Sequence, residues 1–138
     1  MKVLPYFEED EGAKSFYSIN LKNNLEMLSK EEVKVISKYM ESCVVIDEWL
    51  SNIKDPITGQ YSIPSKTWCD GKYIWDSSHT FYLKNYRARL PDEFLDHVRL
   101  RMQKGFALDS LRKDELRIEY ESILARLASG DESFYVKY

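Results

Sequence analysis

The stretch Lys66-Thr67-Trp68-Cys69-Asp70-Gly71-Lys72-Tyr73-Ile74-Trp75 is typical of a β-hairpin. Its Asp-Gly pair is a favoured two-residue loop of type I′, because both positions of that loop require a positive φ. Such a loop would place Trp68 directly opposite Tyr73. Since side chains alternate across a strand, Trp68, Tyr73 and Trp75 would share one face of the ribbon. We expect helices of the same domain to cover these aromatic side chains.

Four helices are predicted around this hairpin. The clearest start is a capping box at Ser29-Lys30-Glu31-Glu32, where Ser29 and Glu32 can each accept a hydrogen bond from the other's backbone N–H. Proline suits the first position of a helix, and glycine commonly ends one. The four predicted helices run over about 30–42, over about 78–88, from Leu90-Pro91-Asp92-Glu93 to Gly105, and from Asp109 or Ser110 to Gly130.

Apolar residues at helical spacing mark the faces that the last two helices should bury. The third helix has the apolar stripe Phe94, Leu95, Val98 and Met102. The fourth helix has the apolar face Leu116, Tyr120, Ile123, Leu124 and Leu127. We expect Leu124 in particular to be buried.

The remaining segments predict strands and turns. The β-branched run 43–46 favours a buried strand that reaches toward Trp49, and the Asp-Pro start of 55–59 favours a turn. Residues 1–14 are expected to form a loose or edge segment, and the aromatic tail a short strand or a frayed end. Together these elements predict a single α+β domain over 1–138, with a small antiparallel sheet packed against about four helices.

Composition narrows the class of protein. The 138 residues suit one domain, and 43% hydrophobic with 31% charged residues is typical of a globular chain. The longest uncharged apolar stretch, 43–46, is too short for a membrane span, and no secretory signal is predicted at the N-terminus. We therefore expect a cytoplasmic protein without membrane contact. The net charge of -3 argues against direct nucleic-acid binding.

Few residues could support catalysis or metal binding. Cys43, Cys69, His79 and His97 are the only soft metal ligands, and no two of them have the close spacing of a structural zinc site. We therefore predict no metal and no cofactor. No nucleophile or phosphate-loop motif surrounds these residues, so a non-enzyme is predicted. The alternative is a small hydrolase or nuclease that uses His79 and His97 as an acid–base pair or Cys69 as a nucleophile.

Three features follow one another within residues 30–106. An Asp-Gly turn lies between aromatic strand residues in Asp70-Gly71-Lys72-Tyr73-Ile74-Trp75, and a helix with Tyr82 and Tyr86 follows. The next helix starts at Leu90-Pro91-Asp92-Glu93-Phe94. This pattern resembles that of small bacterial immunity proteins from polymorphic toxin systems, including contact-dependent growth inhibition.

The resemblance implies a function as well as a fold. Such a protein would bind one cognate toxin domain, here expected to be a nuclease, and would neutralise it in the cytoplasm as a monomer or weak dimer. The chain departs from the pattern at Cys69, where Thr is more usual, and at Asp76, where Pro is more usual. Both are turn or cap positions, so the expected architecture is unaffected.

Acidic and aromatic side chains are the predicted contacts with the toxin. Aromatic residues make up 14% of the chain, and Tyr and Trp are common at protein interfaces. An acidic inhibitor can mimic phosphate and be steered into the basic cleft of a nuclease. The predicted toxin-binding acids are Glu8, Glu9, Asp10, Glu11, Glu31, Asp47, Glu48 and Asp55.

Overall fold

The strands form one four-stranded mixed sheet. A computed structural model describes residues 1–107 and 111–138. The strands are β1 (Lys2–Val3), β2 (Val44–Lys54), β3 (Tyr61–Cys69) and β4 (Tyr73–Asp76). Their order in the sheet is β1-β4-β3-β2: β3 is antiparallel to both β2 and β4, while β1 is parallel to β4. The predicted hairpin is present, and the predicted edge segment at the N-terminus contributes the parallel edge strand.

Four helices in the described residues pack on this sheet, which confirms the predicted α+β class. They are α1 (Lys30–Ser42), α2 (Ser77–Tyr86), α3 (Asp92–Lys104) and α4 (Lys113–Ala128). The capping box of α1 is confirmed, with the backbone N–H of Glu32 donating to Ser29 Oγ at 3.1 Å and that of Ser29 donating to Glu32 Oε1 at 3.2 Å. The start predicted for the last helix, at Asp109 or Ser110, lies outside the described residues.

The hairpin register differs from the prediction by two residues. Trp68 lies opposite Trp75 instead of Tyr73, and the backbone N–H of Asp70 donates to the Tyr73 carbonyl at 3.2 Å. The loop residues are therefore Gly71 and Lys72, and of these only Gly71 has a positive φ, of 92°. Glycine at the first loop position is the requirement of a type II′ turn, so the type I′ prediction is wrong.

Helices cover both faces of the sheet. On one face Tyr73 and Trp75 are buried against α1 and α3, as predicted, with the Phe94 ring centroid 5.5 Å and 5.4 Å from theirs. On the other face Ile74 packs with Ile123 of α4. None of the helices in the described residues is both long and apolar enough to cross a membrane.

Two residues of the predicted helix faces are exposed instead of buried. Leu124 retains 42% of its accessible surface and Met102 retains 44%. Ile123, at 3%, occupies the core position in this turn of α4. Leu116, Tyr120 and Leu127 of the predicted face pack in the same cluster, so Leu124 lies at the edge of that face. Leu124 instead lines a cavity between α4 and the sheet.

Candidate functional site

The acidic segment at the N-terminus is folded onto the domain. The Glu9 carboxylate accepts hydrogen bonds from the backbone N–H groups of Leu21 and Lys22, at 2.7 and 2.8 Å. The Asp10 carboxylate accepts from the backbone N–H of Phe7 at 2.9 Å and from the Tyr82 hydroxyl at 2.6 Å. These two acids therefore hold the segment in place, while Glu8 and Glu11 are exposed.

Two of the acids predicted to contact a partner, Asp10 and Asp55, are buried instead. Burial raises the pKa of Asp10, and the hydrogen bond from Tyr82 opposes this shift. Asp55 is 1% exposed, and its carboxylate accepts from the backbone N–H of Ile57 and from the Tyr86 hydroxyl. A turn-forming Asp commonly bonds its own backbone in this way, so the sequence pattern did not distinguish a turn role from a surface role.

The hairpin of β2 and β3 carries large exposed side chains. β4 pairs with β3 only over Thr67–Cys69, so the rest of β3 has β2 as its one strand neighbour among the described residues. Along this part of the hairpin Trp49 is 68% exposed, Leu50 106% and Tyr61 61%. Three large, exposed side chains on one hairpin are a candidate interaction surface.

The acidic segment and the hairpin meet. The Tyr61 hydroxyl lies 3.5 Å from Glu11 Oε1. A groove of about 300 Å³ runs between them, with Gly12 on one side and Asn52 on the other. Glu48 is exposed beside Trp49. We define the acid–aromatic surface as Glu11, Glu48, Trp49, Leu50 and Tyr61.

Other predicted contact acids lie outside this surface or are only partly exposed. Glu31 is exposed in the first turn of α1. Asp47 is half-buried, with Oδ1 3.9 Å from a guanidinium nitrogen of Arg117 on α4. Glu48, which is exposed and belongs to the acid–aromatic surface, lies 4.0 Å from Lys66 across the hairpin. These are loose pairs at the surface, and such pairs contribute little to stability.

Sequence reasoning missed Leu50 and Tyr61 as surface residues. One signal was present: Pro64 lies within β3, and proline is confined to strands or parts of strands with a free edge. That part of β3 is the part beyond β4. Pro64 thus marks the portion of the hairpin on which Tyr61 is exposed.

The residues of the catalytic alternative lie in three separate environments. Cys69 is buried, and burial raises the pKa of its thiol to about 11. His79 is 1% exposed: Nδ1 accepts from the backbone N–H of Asp76 at 3.1 Å, so Nε2–H donates to the Pro5 carbonyl at 2.9 Å. Both ring nitrogens of His79 are therefore engaged with backbone. His97 lies elsewhere, against Asp70.

His97 belongs to a buried polar network centred on Asp70. The Asp70 carboxylate accepts from the Tyr39 hydroxyl at 2.6 Å, from the Tyr73 backbone N–H at 2.8 Å and from His97 Nε2 at 2.8 Å. A guanidinium nitrogen of Arg101 lies 3.4 Å away. Burial lowers the pKa of His97, so at pH 7 its contact with Asp70 is a hydrogen bond from a neutral ring, and Arg101 supplies the positive charge. This network joins the loop between β3 and β4 to α1 and α3.

Acidification should lower the free energy of unfolding through His97. Burial lowers the pKa of His97, and the hydrogen bond to Asp70 only partly offsets this shift. Below about pH 6.5 the unfolded chain therefore binds a proton that folded His97 does not, which favours unfolding. A further loss should follow near pH 4 and below: burial alone would raise the pKa of Asp70, but the hydrogen bonds it accepts hold that pKa below its usual value.

Urea unfolding at a series of pH values checks this prediction. Between about pH 7 and pH 5 the His97→Gln variant should show a shallower loss of unfolding free energy than the parent chain, because Gln does not titrate. Asp10, whose pKa is raised, acts in the opposite direction but is present in both chains, so the difference between their slopes reports His97. Equal slopes for the two chains would contradict the assignment.

No protein-family model, curated protein or solved structure matches this chain. Within residues 1–107 and 111–138, no group of three or more His, Cys, Asp or Glu side chains is arranged to hold a metal ion. Among the described residues, the acid–aromatic surface is the candidate site, with three large exposed side chains and a contact between Tyr61 and Glu11.

Proposed function

We propose that this chain is a cytoplasmic immunity protein that binds a cognate toxin domain and neutralises it, with the acid–aromatic surface as the binding site. The observation that carries the proposal is the exposure of Trp49, Leu50 and Tyr61 on one hairpin, with the Tyr61 hydroxyl 3.5 Å from Glu11 Oε1. The resemblance of residues 30–106 to immunity proteins supports the same function. The proposed partner is a nuclease domain with a basic substrate cleft.

The two kinds of side chain would have different roles in binding. Trp49 and Leu50 would supply the apolar anchors, since a few large side chains carry most of the affinity of a protein interface. Glu11 and Glu48 would steer a basic partner toward these anchors and would raise the association rate. An acid-rimmed apolar centre is also the arrangement that discriminates against acidic proteins.

The first test is protection of growing cells. The toxin domain encoded beside this chain is expressed with and without it, and growth and co-purification are scored. We expect growth only when the chain is present, and recovery of the two proteins together. Lack of protection, or protection without binding, would overturn the proposed function.

Replacing the apolar anchors should weaken binding strongly. We expect Trp49→Ala and Leu50→Ala each to cost about 2 kcal/mol of binding free energy, which is roughly a 30-fold rise in Kd. Ile118→Ala is the matched control, because Ile118 is 68% exposed on α4 and does not belong to the acid–aromatic surface. Calorimetric titration measures the Kd values. Equal affinities for all three variants and the parent would exclude the acid–aromatic surface, while leaving protection itself intact.

The acids require a separate measurement. Only Glu8 and Glu11 should be replaced in the N-terminal run, since Glu9 and Asp10 hold the segment through backbone hydrogen bonds. Changing both to Ala should slow association and flatten its dependence on salt, with little change in dissociation. Glu121→Ala, which removes an exposed acid of α4, provides the control. An unchanged salt dependence would remove the acids from the proposal.

A further inference from the structure

A cavity of about 360 Å³ lies between the sheet, the N-terminal segment and α4. Its volume falls within the range of about 300–1,000 Å³ found for small-molecule sites. Val3, Ile74, Leu124 and Leu127 form apolar walls, and Tyr6 and Tyr120 add two aromatic rings. The cavity therefore suits a ligand with a flat, apolar body.

One carboxylate lies where the strand β4 leads into α2. Asp76 lines the cavity, and its Oδ1 accepts a hydrogen bond from the Thr67 hydroxyl at 3.0 Å. The Tyr6 ring lines the same wall and is stacked on His79, with centroids 6.1 Å apart. The Tyr6 side chain also hydrogen-bonds this carboxylate. A carboxylate has about four lone-pair sites, so Asp76 can still accept a further hydrogen bond from a ligand.

The charges that line the cavity favour a cation. Three acids line it, Asp76, Asp131 and Glu132, against the single base Lys14 among the lining residues. The Lys14 ammonium donates to the backbone carbonyls of Asp10 and Gly12, so it is held by backbone oxygens.

Two of these acids, Asp131 and Glu132, accept hydrogen bonds from neighbouring protein groups. Asp131 accepts from Ser133, and Glu132 accepts from the Ser15 hydroxyl at 2.7 Å. Asp76 is hydrogen-bonded as well, by Thr67 and Tyr6, but of the three acids it is the one that directly follows the lining residues Ile74 and Trp75 in β4. This position places it beside the apolar walls, where it can receive a cationic group.

We propose that this cavity binds a small molecule with an apolar, ring-sized body and a protonated amine, the amine lying against the Asp76 carboxylate and the body against Leu124 and Tyr120. None of the residues of the acid–aromatic surface lines this cavity, and the inference does not depend on the proposed function. It assigns the chain a small-molecule ligand in addition to the protein partner proposed above.

Three probes of one shape test the chemistry of the cavity. They are 2-phenylethylamine, 2-phenylethanol and 3-phenylpropionate, which are cationic, neutral and anionic at pH 7. Binding to the full chain is followed by isothermal titration and by the probe-induced rise in melting temperature. We expect the amine to bind with a Kd of about 1 mM or tighter, and about tenfold more tightly than the alcohol. Equal binding of the three probes, or no binding of the amine at several millimolar, would overturn the proposal.

Two variants connect the preference to the cavity. Asp76→Asn keeps the size and the helix-capping ability of the residue, and it should remove the preference for the amine while leaving the affinity for the alcohol unchanged. Asp131→Asn is the matched control at the mouth and should keep the preference. Leu124→Trp should fill the cavity and abolish binding of both probes, because Leu124 lies half-exposed at its edge. Circular dichroism checks that each variant is folded, and a preference that persists in Asp76→Asn would overturn the assignment.

Discussion

Replacing Asp70 by Ala should lower the free energy of unfolding by about 3–5 kcal/mol. Asp70 has no accessible surface, and its carboxylate joins three parts of the fold: Tyr39 of α1, the hairpin loop, and His97 of α3. A guanidinium nitrogen of Arg101 lies 3.4 Å from the same carboxylate and only 23% of that side chain is exposed. Removing the carboxylate would leave a partly buried cation and several buried donors without their acceptor.

A second substitution isolates the contribution of the cation. In the Asp70→Ala background, Arg101→Met should cost less than it does in the parent chain, because the guanidinium then has no carboxylate partner to lose. Chemical unfolding of the four chains gives this double-mutant cycle. Asp96→Ala, at an exposed acid of α3, should change stability by about 0.5 kcal/mol or less. A cycle without coupling between Asp70 and Arg101 would contradict the role assigned to the network.

The same residue explains why the sequence predicted the hairpin but not its register. The Asp-Gly pair correctly indicates a tight loop, yet the type I′ assignment requires Asp70 to adopt a positive φ as a loop residue. Instead Asp70 directly follows β3 without a positive φ, and its carboxylate accepts the backbone N–H groups of Lys72 and Tyr73 at 2.9 and 2.8 Å. The contacts with Tyr39 and His97 come from distant parts of the chain, and local propensity carries no information about them.

The helices were more predictable than the candidate site because their signals are local. The capping box at Ser29 satisfies backbone groups within one turn, and the start of α3 combines a proline with two acids in its first turn, so the sequence alone locates both helix starts. Exposure of an acid, in contrast, depends on what folds over it. Glu9 and Glu11 are separated by one residue, yet Glu9 binds the backbone at Leu21 while Glu11 reaches Tyr61 at the surface.

Exposure of apolar side chains on the hairpin of β2 and β3 was equally hard to predict from the sequence. Trp49 and Leu50 are adjacent in β2, so alternation would place one of them toward the core. Both are exposed, and the pairing of β2 with β3 is irregular between Trp49 and Ile53. An irregularity of this kind changes which residues face the core, and hydrophobic pattern does not reveal it.

Replacing Phe94 by Ala should lower the free energy of unfolding by about 3–5 kcal/mol, the range found for buried aromatic residues. Phe94 is fully buried on α3, and its ring contacts both aromatic residues of β4 on that face, edge-on to Tyr73 and tilted against Trp75. Truncation would therefore leave a cavity between α3 and the sheet at the point where the predicted aromatic face is covered. The cost depends on how far α3 and β4, which the ring now holds apart, can close on the space.

Chemical denaturation of a matched pair on α3 checks this prediction. Leu100→Ala removes an apolar side chain that is 49% exposed, and we expect a change of about 0.5 kcal/mol, since no core contact is lost. Phe94→Leu should fall between the two variants, because it keeps part of the buried volume. Near-ultraviolet circular dichroism at the tryptophan band includes buried Trp75 together with Trp49 and Trp68, and it should lose intensity in Phe94→Ala but not in Leu100→Ala. If Phe94→Ala melted like the parent chain, the aromatic face of the hairpin would have to be covered by residues other than those of α3.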